Sequence, residues 1–125
     1  MSEKEPKVWL RRAESNLRLA RRKGRGIFLE DLCFQAQQAA EKALKALMIH
    51  LGSEYPKVHS LGLLLEKLEP HVPVPDTIKE AVELSDYAIQ TRYPGDYSPV
   101  TTAEYERSVE LATRVVKWVK SQVKE

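Results

Sequence analysis

Apolar residues recur at intervals of three and four along almost the whole chain, and no useful stretch alternates in steps of two. Over residues 7–23, Trp9, Ala13, Leu17 and Ala20 share one helical face with arginines opposite, and GRG at 24–26 supplies a glycine stop. Residues 30–51, EDLCFQAQQAAEKALKALMIHL, are the most regular stretch. At about 100° per residue, Leu32, Ala36, Ala39, Ala40, Ala43, Leu47 and Leu51 fill one broad arc, while Asp31, Gln35, Gln38, Lys42 and Lys45 form a polar stripe opposite. The alanines let neighbouring helices come close, which predicts a central helix touching several partners. Gly52 ends it.

Ser60 is placed to cap a short helix running to about Glu69, and Pro73 and Pro75 stiffen the connector that follows. Thr77 with Glu80 reads as a capping box for a helix over 77–91, with Ile78, Val82, Ser85 and Ile89 inward. Thr101 with Glu104 reads as a second box. It opens a last helix whose Tyr105, Val109, Ala112, Val116, Val119 and Val123 alternate by four and three, as a bundle seam does. The expectation is an all-α fold: an antiparallel up-and-down four-helix bundle with an additional short helix, as one domain over residues 1–125.

Composition narrows the class. Charged residues are 30 % and hydrophobic ones 42 % of the 125, which fits a folded soluble chain rather than a disordered one. The single cysteine, Cys33, excludes an internal disulfide and points to a reducing cytoplasm. No basic-then-apolar leader and no membrane-length apolar run is present, so neither export nor insertion is expected. The net charge of +2 conceals an asymmetry: residues 1–26 carry +6 and the remainder −4. Arg11, Arg12, Arg18, Arg21, Arg22, Lys23 and Arg25 gather at one end. That end suits phosphates, or an acidic partner surface, or simply water.

Catalytic templates are missing: there is no P-loop, GxGxxG, HExxH, CxxC pair or GxSxG. His50, His59 and His71 share no metal-ligand spacing, so no metal and no other cofactor is expected. His50 projects onto the apolar arc as a core histidine, and Cys33 reads as a small core residue. The stripe residues Gln38, Lys42 and Lys45 combine amide donors with ammonium groups, which suits a phosphate or a base edge. The QTRYPGDYSPV segment adds Arg92, Tyr93 and Tyr97 around a Pro-Gly break. Arginine grips phosphate through its planar fork, and tyrosine stacks on a base. If stripe and segment border one groove, they make a nucleotide site. In the plainer alternative, Arg92 pairs with Asp86 or Asp96 and the tyrosines cover the bundle end.

WLRRAESNLRLAR at 9–21, FQAQQAAEKALKALMIHLG at 34–52, KVHSL at 57–61 and YAIQTRYPGDY at 87–97 together resemble the HEPN family of small helical proteins. The resemblance implies a bundle like the carboxy-terminal half of kanamycin nucleotidyltransferase, commonly a homodimer. It also implies a minimal nucleotidyltransferase as partner in a two-component system, in some cases a toxin and antitoxin. Many members are thought to bind nucleotides or RNA. Some branches are metal-independent ribonucleases that use an arginine followed four to six residues later by a histidine. Here Tyr93, Pro94, Gly95, Asp96, Tyr97, Ser98 and Pro99 follow Arg92, with no histidine, so the general acid/base is missing and no catalytic residue is assigned.

The expectation is therefore a nucleotide- or nucleic-acid-binding module whose candidate site residues are Gln38, Lys42, Lys45, His59, Arg92 and Tyr93. Two alternatives remain open: a ribonuclease with an altered site, using His59 with Arg92, and a purely structural dimer or interaction subunit.

Overall fold

The computed structural model describes residues 5–54, 60–87 and 99–123. The chain is an all-α bundle, with no strand among the described residues. Its elements are α1 (Pro6–Ala20), α2 (Leu29–His50), α3 (Leu61–Leu68), α4 (Asp76–Lys79), a 3₁₀ helix (Glu80–Tyr87) and α5 (Thr102–Val123). α2 is the centre, packed by α1, α5, α3 and the 3₁₀ helix. Ala36, Ala39, Ala40, Ala43 and Ala46 are fully buried between Leu32, Leu44 and Leu47, as the broad apolar arc requires. α1 runs antiparallel to both α2 and α5: Asn16 meets Gln35 while Trp9 lies at Lys45, and Tyr105 meets Ala20 while Lys120 meets Glu14.

The helix ends follow local chemistry. α2 closes in a Schellman motif, with Gly52 N–H donating to Ile49 C=O (3.0 Å) and Ser53 N–H to Met48 C=O (2.9 Å). Gly52 has φ +79°, a conformation that residues with a Cβ avoid. Ser60 Oγ accepts from Leu63 N–H, capping α3. α1 stops at Ala20, earlier than the glycines suggest. The Tyr105 hydroxyl takes the Ala20 carbonyl at 2.6 Å, one of the acceptors that a helix end leaves open. α5 opens on a reciprocal box, Thr101 N–H to Glu104 Oε1 (2.9 Å) and Glu104 N–H to Thr101 Oγ1 (3.1 Å). Thr101→Ala should lower stability by about 1 kcal/mol, read as a lower urea midpoint at unchanged m-value.

The segment expected as a helix over 77–91 differs. Pro75 is the N-cap and Thr77 caps nothing, because the Glu80 carboxylate goes to Arg107 and Arg114 instead. After one α-turn the chain tightens to 3₁₀, whose period of three buries Ile78, Ala81 and Leu84 and brings Tyr87 against the core. Val82, expected inward, is 47 % exposed, and Ile89 lies outside the described residues. Arg107 clamps both Glu80 and Glu83, which raises its own pKa and holds Glu80 below the usual carboxylate range. The clamp ties the 3₁₀ helix to α5. His50, expected in the core, is exposed: it sits in the last turn of α2, where the face that is covered lower down has run past its neighbours. Cys33 is fully buried.

Candidate functional site

The polar stripe of α2 is not a free solvent face. α1 packs along it; one hydrogen-bonded line crosses between the two helices and a second runs within α2. In the first, Asn16 Nδ2 donates to Gln35 Oε1 (2.6 Å) and Asn16 Oδ1 accepts from Lys42 Nζ (2.9 Å). In the second, Gln38 Nε2 donates to Gln37 Oε1 (2.8 Å), Gln37 Nε2 to Glu41 Oε1 (3.0 Å), and Lys45 Nζ to Glu41 Oε2 (2.9 Å). Lys45 Nζ also lies 5.8 Å from the centroid of the Trp9 ring, within cation–π range.

These lines sort the stripe residues by availability. Lys45 is 7 % exposed and turned inward onto Glu41, so it offers no direct contact at the surface. Gln38 is half-buried and spends one amide proton on Gln37. Lys42 is also half-buried, but the oxygen it meets belongs to a neutral amide, and among the described residues no carboxylate lies within ion-pair distance of it. Burial lowers the Lys42 pKa first, and the positive Arg12 guanidinium nearby lowers it further; Glu41 acts in the opposite sense. The result is a partly desolvated ammonium beside a second cation, with no anion bonded to it.

His59, Arg92 and Tyr93 lie outside the described residues. The structure does place the two ends of the segment that carries Arg92 and Tyr93. It departs at Tyr87 and returns at Val100, whose N–H donates to Glu30 Oε2 (2.9 Å). Both ends pack against Leu32, Cys33 and Tyr105, at the start of α2. Cys33 is one turn before Gln37, where the buried polar line begins.

Three participants escape a helix-by-helix reading. Asn16 and Arg12 belong to α1, and Glu41 lies between the apolar arc and the polar stripe of α2. The i, i+4, i+8 spacing of Gln37, Glu41 and Lys45 was the available signal, since such residues stack on one helix face. Among the described residues no group of three His, Cys, Asp or Glu side chains is arranged to hold a metal ion, and no helix is long and apolar enough to cross a membrane.

No curated protein matches the chain. Two solved structures are similar over nearly its full length. One is TT1696 from Thermus thermophilus, 37 % identical, covering 94 % of this chain and 97 % of that one with a TM-score of 0.82. The other is ST0689, an archaeal HEPN homologue, 31 % identical, covering 99 % and 100 % with a TM-score of 0.78. The HEPN domain model matches residues 6–122. With the helical bundle in place and that match spanning nearly all of it, the chain belongs to the HEPN domain family.

Proposed function

We propose that this protein binds a nucleotide or nucleic acid through phosphate contacts at the α1–α2 edge, and that it does so as the non-catalytic partner of a minimal nucleotidyltransferase. The observation that carries the reading is the Lys42 ammonium, half-buried beside Arg12 and bonded only to the neutral Asn16 oxygen. A phosphate there would supply the missing countercharge, and charge-assisted hydrogen bonds are the stronger kind. Gln38 supplies a nearby amide, and Lys45, paired with Glu41, lies beneath the proposed site. Arg92, Tyr93 and His59 complete the proposed site, the arginine as a phosphate fork and the tyrosine as a stacking surface. The supporting geometry is that the segment bearing Arg92 and Tyr93 is anchored at both ends beside the start of α2. In this reading the protein is a cytoplasmic homodimer acting in a two-component, toxin–antitoxin type of system.

Calorimetry of ATP, GTP and a short RNA against wild type, Lys42→Met and Arg92→Ala, at two salt concentrations, tests it. Each substitution should weaken binding by roughly 10- to 100-fold, the worth of one charge-assisted hydrogen bond. Equal affinities in all three proteins, or no binding even with a partner nucleotidyltransferase present, would sink the reading.

The lowered Lys42 pKa adds a pH signature. Binding to the protonated ammonium holds at neutral pH. It falls as the pH rises through a value below the ordinary 10.5. Lys42→Arg should remove that fall, because the guanidinium stays charged.

A further inference from the structure

The turn that joins α1 to α2, RRKGRGIF at 21–28, is exposed at every residue and supplies nothing to the Lys42 site. Its backbone is fixed. Ile27 N–H donates to Gly24 C=O (3.2 Å) and Gly26 takes φ +79°, the pattern of a type II turn, which wants glycine at that position. The turn holds Ile27 and Phe28 outward, 43 % and 72 % exposed, and Leu19 in the last turn of α1 is 43 % exposed. These are three of the four large apolar side chains exposed among the described residues, and all fall within residues 19–28. Phe28 is also the N-cap of α2 and gives the helix no side-chain bond. Serine or aspartate there would cap α2, so local stability does not account for the ring. Arg21, Arg22, Lys23 and Arg25 share the turn, and it contains no carboxylate. Arg21 reaches Thr113 Oγ1 (3.0 Å), while the other three make no ion pair among the described residues. Of the two acids that follow, Glu30 is taken by Val100 N–H, which leaves Asp31 exposed at the start of α2.

We propose that this corner docks an acidic amphipathic helix of another protein, its apolar stripe on Leu19, Ile27 and Phe28 and its carboxylates against the cations of the turn. The apolar side chains select a protein. Leu19 and Ile27 are aliphatic, so they offer no face on which a base stacks, and they gain by meeting other apolar side chains. An apolar centre ringed by charge is the layout of a protein interface, where a few anchors carry most of the affinity and the charges set orientation and association rate. A helix presents a matching stripe at i, i+3 and i+4, with carboxylates on its flanks. Charge selects the acidic kind, since four cations in the turn face one exposed aspartate beside it. A second copy of this chain is a poor occupant, because a two-fold contact centred here would set cations against cations. The fixed turn keeps the ordering cost of docking small. This surface goes beyond the nucleotide reading and does not rest on it.

The test is fluorescence anisotropy of a labelled peptide of about 15 residues, roughly four helical turns, with leucines at helical spacing and glutamates between them. Saturable binding that weakens as salt rises is expected. Phe28→Ala and Ile27→Ala should each weaken it about 5- to 30-fold, as the loss of an interface anchor does. Lys23→Glu with Arg25→Glu should reverse the preference, so that this variant favours the same peptide with lysine in place of glutamate. Lys42→Met should bind the acidic peptide as the wild type does, which separates the corner from the nucleotide site. All these corner positions are exposed, and a melt confirms that the variants fold. The proposal is overturned if the peptide shows no saturable binding, if a scrambled peptide of the same composition binds equally well, or if Phe28→Ala changes nothing. Tighter, Phe28-dependent binding of a single-stranded RNA or of phosphatidylserine-containing vesicles overturns it as well.

Discussion

Replacing Glu41 with alanine is expected to lower the stability of the fold by about 3–5 kcal/mol, with a drop of roughly 10–20 °C in melting temperature. Glu41 is 3 % exposed and holds two buried donors at once, the Lys45 ammonium and the Gln37 amide. Taking the carboxylate away leaves the lysine charge inside without its 2.9 Å anionic partner. The penalty is that of a desolvated ion, which exceeds the value of the pair itself. The contrast comes from a double variant, Glu41→Gln with Lys45→Met. The amide keeps an acceptor for Gln37, the thioether keeps packing against Trp9, and no buried charge remains. Most of the lost stability should return. Thermal melts of the wild type, the single variant and the double variant decide the matter: a double variant as unstable as Glu41→Ala would show that the pair itself, rather than the buried charge, holds α2 in place.

Leu44→Ala carries the other large effect, about 3–5 kcal/mol, in the upper part of the range for buried leucines. Leu44 is fully buried near the middle of α2, and Ala36, Ala39, Ala40, Ala43 and Ala46 flank it at zero exposure. Where alanines already bring helix backbones together, little further approach is possible, so a cavity left by the isobutyl group stays open. Leu44→Met keeps the volume and should cost less than about 1.5 kcal/mol. Urea titration separates these values readily. A Leu44→Ala loss below about 1 kcal/mol would mean that the bundle collapses around the gap, and that α2 is not a rigid centre.

Most of the fold was legible because its signals are local. Periods of three and four marked the α1, α2 and α5 faces, and the Ser60 and Thr101 caps bond as their sequence spacing implies. Gly52 adopts the positive φ that ends α2. The failure at 77–91 was also local in origin. A 3.6-residue template was laid over a chain that winds with a period of three, so Val82 was assigned to the core in place of Ala81 and Leu84. The apolar spacing Ile78, Ala81, Leu84 and Tyr87 was present in the sequence, but choosing it requires knowing that Arg107 and Arg114 on α5 draw Glu80 and Glu83 to one side.

The candidate site was legible only in part, for a different reason. A projection of α2 shows Lys42 and Lys45 one turn apart on one stripe, as if equivalent. They are not. Rotation by a few tens of degrees puts Lys45 among Trp9 and Glu41 and leaves Lys42 at the edge beside Arg12 and Asn16. All but Glu41 of those partners come from α1, so no property of α2 alone distinguishes the two lysines.

By itself, then, the order of residues determined the helical class, the central place of α2, the caps and the concentration of charge in the first 26 residues. Those depend on contacts within about one helical turn, or on simple counting. The tertiary structure decided which polar residues are buried, which cations keep unspent charge, and where the ends of the Arg92 segment meet. Each of these is a sum over neighbours distant in sequence, since desolvation and ion pairing depend on what surrounds a group rather than on what precedes it in the chain.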